Sequence, residues 1–533
     1  MRSTMFTAHL KQFLNLLKPQ FPLVFTNNEN IVGELSSGYK KAKHDLEIVR
    51  KVAKFDDIVE TPNIYKLFIL DKDTDTYDVV ERKVCEDLTE NFGYDYINDV
   101  IDSLNEGDVV KEGDVLYRST SYDEDMNYAY GRNVTVAYTL DPYTSEDAAI
   151  ASKRICKEMT SIETESIKIG LNGNDYLLNL YGDDDTYKPL PDIGEKVSGK
   201  LAVLRRQFNN LLLFDFKNTS LREIHEGDSI YYIDNDVEVI DYTIFNNLDE
   251  DIDNPFYDQI NKYLESQKKY YEEILETCEM IRESGKKYTK EVDYLYKRTK
   301  FMLDRKKKWK ETNDSVFPIE IEITVRREVP LAKGCKITGR YGNKSVIADI
   351  WDDDKMPKTE DGRQVDILLN LLAIINRTTS MVLYELFLNG SAFQVRQKMK
   401  GLPLVEQENM LFRFIRILNE NQEEFMYNKY KKLSTKKKQA YINDAIENGI
   451  LIHQTPMWET CPLFYRCQNL LKEFPFIQKD TCYITKWGRE YKILSKYFIG
   501  EMYMLKSLSL SETIENYVNC WDILLGQSAA NTF

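Results

Sequence analysis

Residues 333–377 read KGCKITGRYGNKSVIADIWDDDKMPKTEDGRQVDILLNLLAIINR, and this stretch decides how the chain is interpreted. Within it, Lys336 and Lys344 flank the glycine-containing loop 339–343. Glycine lets a backbone approach a phosphate closely, and lysine ammonium groups supply point charges. The pattern therefore indicates a phosphate-handling loop. By spacing alone, a basic β-turn on a protein surface is the commoner explanation, and both interpretations stay open.

The composition is that of a large globular protein. The chain has 533 residues, of which 42% are hydrophobic and 30% charged, with 14 Pro and 23 Gly. The length predicts three or four domains, and the composition excludes a mostly disordered chain, a collagen and a small disulfide scaffold. A net charge of −16 excludes a generic basic nucleic-acid coat but allows a local basic cleft.

Cysteine usage and hydropathy predict a soluble protein of a reducing compartment. The eight cysteines form no CxxC pair, so no zinc site is readable. An amphipathic N-terminal helix stops at Pro19 and lacks the apolar core of a signal peptide. The most apolar stretch elsewhere, 365–387, is interrupted by Asp366, Arg377 and Glu385, which argues against a membrane span.

Common catalytic motifs are absent from the sequence. There is no GxxxxGK[ST] loop, GxSxG elbow or HExxH helix, and the four histidines lie far apart. Residues 71–75 resemble the start of a calcium loop, but Thr76 replaces the required glycine. Runs of consecutive aspartates point in different directions and are assigned no metal. The sequence therefore gives no support to a hydrolase triad or to a zinc enzyme.

Periodicity divides the chain into β-rich and helical stretches. Residues 22–118 predict short strands, with turns at Gly107 and Gly113 that each start a strand. After a strand at 133–140, Ser145 is predicted to cap a helix, which places Glu146 and Asp147 at a strand-to-helix junction. Residues 192–245 return to β, and residues 256–309 predict a helical pair with a turn at 284–285. Residues 366–387 and 405–449 predict further helices.

Three basic stretches stand out in this acidic chain. Residues 321–344 hold six Lys or Arg against two acids, residues 305–308 read RKKK, and residues 429–438 read KYKKLSTKKK. On charge alone the last two are interpreted as solvated surfaces.

The string 333–377 as a whole resembles the β subunit of multisubunit DNA-dependent RNA polymerases. That family carries a GDK-x-x-GRHGNKG loop followed by MP-x-x-x-DG-x-PVDI-x-LNP-x-x-x-x-SR. The matching residues, in order, are Gly334, Lys336, Gly339, Arg340, Gly342, Asn343, Lys344, Met356, Pro357, Glu360, Asp361, Gly362, Val365, Asp366, Ile367, Leu369, Asn370 and Arg377. Further support comes from PLV at 22–24, GDVVKEGDVL at 107–116, SEDAAIASKR at 145–154 and GEMYMLK at 500–506.

The resemblance implies an α+β multidomain fold built on a double-psi β-barrel. The expected segments are a β-rich N-terminal region leading into the barrel (1–130), the first part of the barrel with the acidic pair (131–191), a flap-like β region (192–253), a helical hairpin insertion (254–312), the second part of the barrel with the active-site lysines (317–390), and a helical and mixed C-terminal region (391–533).

The resemblance also implies three catalytic residues. In the family the two loop lysines contact the RNA 3′ end and the phosphates of the incoming nucleotide, and here these are Lys336 and Lys344. The arginine that ends the pattern contacts the nucleotide triphosphate, and here it is Arg377. Cations in a preorganised site would stabilise the charge that develops on the phosphoryl group during nucleotidyl transfer.

Further site residues follow from the same resemblance. Glu146 and Asp147 are expected near the second magnesium that arrives with the substrate. The residues expected to bind substrate or nucleic acid are Arg340, Asn343 and Asn370. The chain departs from the family motif at Cys335, Tyr341 and Ser345 in the loop. It also lacks the proline and glycine residues that precede the motif's last arginine, since Leu371, Ala373 and Ile375 stand there before Arg377. These differences affect the fine geometry of the loop and the position of Arg377.

The family's three-aspartate magnesium loop is absent from this sequence, which is expected because it belongs to the β′ subunit. The expected partners are therefore a β′-like chain or chains holding the main Mg²⁺, a chain resembling the N-terminal half of β, a promoter-specificity factor, template DNA, RNA transcript and NTPs, and no membrane. Alone, the chain should be catalytically inactive. Such a split polymerase resembles those of giant bacteriophages, which implies the cytoplasm of an infected bacterial host.

Two alternatives remain beside this interpretation. In the first alternative, the chain is a non-catalytic nucleic-acid-binding or scaffold protein that retains the β-subunit fold. The replaced loop residues argue mildly for this alternative. Retention of both lysines argues against it. A one-chain polymerase with two barrels is disfavoured because no second barrel with the three-aspartate loop is visible.

Overall fold

The computed structural model describes the chain in stretches separated by gaps. The described residues are 38–89, 92–122, 124, 126, 131–139, 141–173, 175–206, 220–248, 255–303, 317–341, 343–377, 381–450, 463–486 and 488–506. The predicted N-terminal helix, the PLV motif at 22–24 and the basic run 305–308 lie outside these residues. Among the described residues, every helix is too short or too polar to cross a bilayer.

The described elements are numbered along the chain. The strands are β1 Tyr39–Lys41, β2 Leu46–Ala53, β3 Tyr65–Asp71, β4 Thr76–Glu81, β5 Cys85–Thr89, β6 Phe92–Ile97, β7 Val109–Val110, β8 Val115–Ser119, β9 Arg132–Thr139, β10 Ala148–Ser152, β11 Ser161–Leu171, β12 Asp175–Leu177, β13 Lys196–Arg206, β14 Ser229–Asn246, β15 Lys287–Tyr288, β16 Ile319–Val329, β17 Lys336–Gly339, β18 Lys344–Trp351, β19 Lys358–Thr359, β20 Ile367–Asn370, β21 Cys482–Lys486, β22 Arg489–Lys492 and β23 Ile499–Lys506. The α-helices are α1 Asp99–Ser103, α2 Lys153–Glu158, α3 Asp258–Glu283, α4 Lys290–Leu303, α5 Leu371–Arg377, α6 Met381–Met399, α7 Leu404–Leu418, α8 Glu420–Tyr430, α9 Thr435–Asn448 and α10 Leu463–Glu473.

The chain divides into two compact units. One, called the sheet unit, comprises residues 36–122 and 162–329. The other, called the barrel unit, comprises the described residues of 123–161 and 330–506. Each unit is built from segments far apart in sequence. The six segments expected from the resemblance are a finer division and stay a prediction.

The sheet unit holds two sheets and a helical hairpin. A nine-stranded sheet runs in the order β1-β8-β6-β11-β16-β14-β13-β12, with β5 beside β6, and a five-stranded sheet runs β15-β4-β3-β2-β7. The turns predicted at Gly107 and Gly113 precede β7 and β8, and both glycines have a left-handed backbone, with φ of 89° and 95°. The predicted helical pair is confirmed as α3 and α4, and the connection between them, residues 284–289, contains the predicted turn at 284–285 and strand β15.

The barrel unit is built on a closed six-stranded barrel. Its strands follow the order β10-β18-β17-β23-β9-β20, and β20 pairs with β10 to close the ring. Side chains of the barrel strands and of α6 and α7 share one apolar core, in which Val136, Ile337 and Phe414 are at most 1% exposed. The expectation of an α+β fold is confirmed, whereas the double-psi connection of the barrel stays a prediction.

One predicted helix start is wrong. The segment after Ser145 forms strand β10, and the helix begins only at Lys153, where the Ser152 hydroxyl accepts a hydrogen bond from the Ile155 N–H at 3.2 Å. Strand β10 pairs with β18 on one side and β20 on the other. Both faces of β10 are buried, so its short apolar run carries no alternation, and tertiary pairing overrides local helix propensity.

The prediction of a helix over residues 366–387 is also partly wrong. Its first part forms strand β20, which completes the barrel, and helices α5 and α6 follow. Residues 367–370, which read ILLN, are all buried, and so short an apolar run is ambiguous between strand and helix in sequence.

Candidate active site

The two motif lysines lie on one hairpin of the barrel. In the antiparallel register of β17 and β18, Lys336 pairs with Val346 and Thr338 pairs with Lys344. Residues that pair across strands point to the same face, so both lysines lie on the face opposite Ile337, which is buried in the core. Their Cα atoms are diagonal neighbours, about 7–8 Å apart.

Both lysines are available for a ligand within the described structure. Lys336 is half-buried and Lys344 is exposed. Among the described residues, neither ammonium group forms an ion pair or a hydrogen bond. By contrast Lys333, in the same loop region, pairs with Asp349 at 2.6 Å. The hairpin therefore presents two uncompensated positive charges side by side.

The loop between the lysines is shaped by Asn343. The Gly339 N–H donates to the Asn343 carbonyl at 3.1 Å, and the Tyr341 N–H donates to Asn343 Oδ1 at 3.4 Å. A Cβ atom on Gly339 would lie 2.5 Å from Asn343 Oδ1, so a larger residue at position 339 would force the Asn343 side chain out of this position. Asn343 thus holds the turn, and its predicted contact with nucleic acid stays a prediction.

The Arg340 side chain packs against neighbouring residues and is largely shielded from solvent. Its side chain is 10% exposed, and Nη1 lies 3.9 Å from Oε1 of Glu385, a residue of α6 that is fully buried. The guanidinium also lies over the ring of Tyr503 in β23, 4.5 Å from the ring centre. The Tyr503 N–H donates to Glu385 Oε1 at 3.3 Å. These contacts attach the loop to α6 and β23.

Burial raises the pKa of the Glu385 carboxyl, and the nearby Arg340 charge opposes that shift. Sequence reasoning assigned no role to Glu385 or Tyr503. The available signal was Glu385 itself, an acid inside an otherwise apolar stretch. Tyr341, which stands where the resembled motif has histidine, is also buried in the barrel core. The role of Arg340 in binding substrate or nucleic acid stays a prediction.

The acidic pair lies beside the start of the lysine hairpin strand. Strand β10 runs parallel to β18, with Ala148 opposite Val346, and the Val346 N–H donates to the Asp147 carbonyl at 3.0 Å. Glu146, one residue earlier, is exposed and has a left-handed backbone, with φ of 52°. Both acids therefore precede β10 at the barrel end where β18 begins with Lys344.

Asn370 lies at the same end of the barrel. It is the last residue of β20, which runs antiparallel to β10, so the end of β20 lies beside the start of β10. The Asn370 side chain is buried, and its Oδ1 accepts the Leu372 N–H at 2.9 Å. Asn370 thus caps α5, whose last residue is Arg377.

Strand β20 is locked in place by Asp366. The Asp366 carboxylate accepts the Thr135 N–H of β9 at 2.9 Å and forms an ion pair with Arg154 of α2. Burial raises the pKa of Asp366, while Arg154 and the hydrogen bond to Thr135 oppose that rise. This pair fixes the strand that carries Asn370 and leads into α5.

Six predicted site residues therefore meet at one end of the barrel, which we call the lysine end: Lys336, Asn343, Lys344, Glu146, Asp147 and Asn370. The strand register brings two lysines and two acidic residues to this end, and such a set of residues suits a phosphorylated ligand that brings its own cation. Among the described residues, no three of His, Cys, Asp or Glu are grouped to hold a metal. The acidic pair fits at most a share in a magnesium site.

Comparison with known proteins identifies the family. The family described as RNA polymerase Rpb2, domain 6, matches residues 98–506, more than half of the chain. The chain therefore belongs to the Rpb2 domain 6 family of RNA polymerase subunits.

Individual relatives agree with this assignment. The chain is 27% identical over 418 residues to a DNA-directed RNA polymerase subunit beta of Oceanobacillus iheyensis, covering 72% of this chain and 29% of the relative. It is 23% identical over 404 residues to the subunit of the same name from Mycoplasma genitalium, covering 74% of this chain and 24% of the relative. A 92-residue stretch is 38% identical to the subunit from Euglena longa, covering 17% of this chain and 8% of the relative. The chain thus spans less than a third of these relatives.

Proposed function

We propose that this chain is a subunit of a DNA-dependent RNA polymerase and supplies the cations that bind the RNA 3′ end and the incoming NTP. The observation that carries the proposal is a pair of lysines, Lys336 and Lys344, which lie on one face of the hairpin at the lysine end and have no partner among the described residues. Family membership over residues 98–506 supports the reaction class.

The proposed chemistry is electrostatic. Nucleotidyl transfer adds negative charge to the α-phosphoryl group and to the leaving pyrophosphate. Ammonium groups held on a barrel hairpin need no reorganisation when that charge develops, so they stabilise the transition state more than the ground state. Asn343 holds the loop between them, and Arg377 is proposed to contact the triphosphate at the end of α5.

Magnesium enters the proposal as an ion held mainly by a partner. We propose that Glu146 and Asp147 act on a second Mg²⁺ that arrives with the NTP, while a β′-like chain holds the first. A bound Mg²⁺ supplies charge neutralisation and orientation of phosphate oxygens. The acids of this chain would orient the ion from the barrel end that also presents the lysines.

The proposed complex contains a β′-like chain, a chain resembling the N-terminal half of β, a promoter-specificity factor, template DNA and the transcript. Affinity purification of the tagged chain from its native source, with mass spectrometry, tests this composition. The same experiment tests the split, bacteriophage-type arrangement. Recovery of a chain with a three-aspartate loop supports the complex, and elution without one contradicts it.

The catalytic role is tested by substitution in the purified complex. We expect Lys344→Ala to lower the rate of nucleotide addition roughly a hundredfold or more, as removal of a preorganised charge donor does. Lys333→Ala is the matched control, because that exposed lysine lies in the same region but is already paired with Asp349. We expect the control to stay within a few-fold of the unaltered complex.

Unchanged nucleotide addition by Lys344→Ala would refute the proposed role. The alternative function, a nucleic-acid-binding or scaffold protein that retains the fold, predicts a different result. Its complex would bind nucleic acid without Mg²⁺-dependent RNA synthesis, whatever residue stands at position 344.

A further inference from the structure

A second basic surface lies at the turn that joins α8 and α9 in the barrel unit. Residues 429–438 contain six lysines and no acid. We call this surface the α8–α9 corner, and its members are Lys429, Lys431, Lys432, Lys436, Lys437 and Lys438. Five of the six are exposed, and Lys438 is half-buried. None of them belongs to the lysine end of the barrel.

The corner stands on a rigid base. Tyr430, between the first two lysines, is 2% exposed and packs against Phe412 and Tyr441, with ring centres 5.0 and 5.4 Å away. Its hydroxyl donates to Glu408 Oε1 at 2.7 Å. The backbone that carries the lysines is therefore fixed before any ligand binds, which lowers the entropic cost of binding.

The positive charge of the corner is not compensated within the described structure. None of the six ammonium groups forms an ion pair or hydrogen bond with a described residue. Nearby arginines behave differently, since Arg413 pairs with Glu473 and Arg416 with Glu423. In a chain of net charge −16, acids are abundant, yet none of those that the structure describes pairs with this surface.

Contacts with aromatic rings orient three of these lysines without removing their charge. The ammonium groups of Lys429 and Lys431 lie 4.1 and 4.2 Å from the ring centres of Phe425 and Tyr427. Lys438 lies 5.1 Å from the ring centre of Tyr430. Cation–π contacts of this kind hold a side chain in place while the cation stays free for an anion.

The lysines also do not stabilise the helices that carry them. Lys436, Lys437 and Lys438 occupy the first turn of α9, which holds no acidic residue. The helix dipole disfavours cations at this end, and neighbouring like charges repel. Two exposed acids on α8, Glu420 and Glu424, reduce the local charge but do not cancel it. A polyanion would remove this repulsion.

We propose that the α8–α9 corner binds the phosphate backbone of a nucleic acid. Six cations over ten residues match a ligand with closely spaced charges, and duplex DNA carries one charge per about 1.7 Å of axis. Membership in an RNA polymerase family favours a nucleic acid over an acidic protein or a lipid surface. Phosphate contacts of this kind carry no base-sequence preference.

The test uses the full chain, a fluorescent DNA duplex of about 30 base pairs, and salt from about 50 to 200 mM. Each lost phosphate contact lowers the slope of log affinity against log salt by about 0.9. We expect the triple variant K436Q/K437Q/K438Q to lower the slope by about 2 to 3. The matched control is K398Q/K400Q/K472Q, which removes the same charge from exposed lysines scattered over the same unit. We expect that control to lower the slope by less than about 0.5.

Equal slopes for the two triple variants would overturn the proposal, as would absence of DNA binding by the unaltered chain at the lowest salt. Binding to anionic vesicles or polyglutamate in preference to DNA would overturn it in favour of a lipid or protein partner. Lysine acylation read by mass spectrometry gives a second measurement, because DNA should protect residues 436–438 but not the control lysines. Because the experiment measures DNA binding and not RNA synthesis, it tests this proposal whether or not the complex is an active polymerase.

Discussion

The contact between α6 and β23 gives the sharpest test of the packing in the barrel unit. Gly500 of β23 and Gly390 of α6 face each other so closely that backbone touches backbone. A Cβ atom on Gly500 would lie 2.2 Å from the Leu386 carbonyl oxygen and 3.0 Å from the Gly390 nitrogen. These are main-chain atoms of a helix, so they cannot rotate away as a side chain can. The substitution Gly500→Ala must therefore push α6 off the barrel.

We expect Gly500→Ala to destabilise the barrel unit by about 3 kcal/mol, the upper part of the range for overpacked cores. That corresponds to a lower melting temperature by about 6–12 °C, at 2–4 °C per kcal/mol for a unit of this size. Calorimetry measures the shift, and hydrogen exchange of the amides in α6 and β23 shows whether the loss is local to this contact.

Gly173→Ala, in the sheet unit, is the control for a glycine-to-alanine change as such, because a Cβ atom there would meet no described atom within 4 Å. Since neither Gly173 nor Gly500 has a left-handed backbone, the two substitutions differ in space and not in conformational strain. We expect the control to be neutral or to stabilise by up to about 1 kcal/mol. A Gly500→Ala protein that melts with the unaltered chain would refute the close packing of α6 on β23.

Two further predictions concern buried thiols and a helix cap. Burial raises the pKa of Cys156 to about 11 and that of Cys467 to about 12, so at about pH 8 at most one thiol in a thousand is ionised. We expect both to resist alkylation in the native protein and to react in denaturant or as the pH approaches those pKa values, and rapid native labelling by mass spectrometry would contradict this. Asn370→Ala should cost about 1 kcal/mol and speed hydrogen exchange at Leu372, whereas Asn370→Asp, which keeps the acceptor, should not; equal exchange in both would contradict the cap.

How far the sequence predicts this structure differs between its parts. The helical pair α3 and α4 is readable because its apolar residues repeat every three or four positions over many turns. The turns at Gly107 and Gly113 are readable because each needs a left-handed backbone that glycine adopts freely. Local chemistry decides both features, so no distant residue is needed to predict them.

The barrel shows where sequence reasoning stops. Strand β10 has five residues, and its conformation depends on pairing with β18 and β20, about 200 residues away. The environment of Arg340 is equally hidden, because Glu385 and Tyr503 approach it only after the barrel closes. The resemblance to the family predicts that the lysines and the acidic pair share one site. It does not predict the packing contacts that hold the loop between the lysines.

The strand order of the barrel also has a consequence for how the chain is made. Strand β23 lies between β17 and β9, yet it is the last of the six to leave the ribosome. Until it is synthesised, the nascent chain leaves the edges of β17 and β9 unpaired, and open strand edges recruit other strands. Closure of the barrel, and with it the final placement of Arg340 against Tyr503, must therefore wait until β23 has been translated. A ribosome stalled before residue 499 should carry a chain whose barrel segments are sensitive to protease.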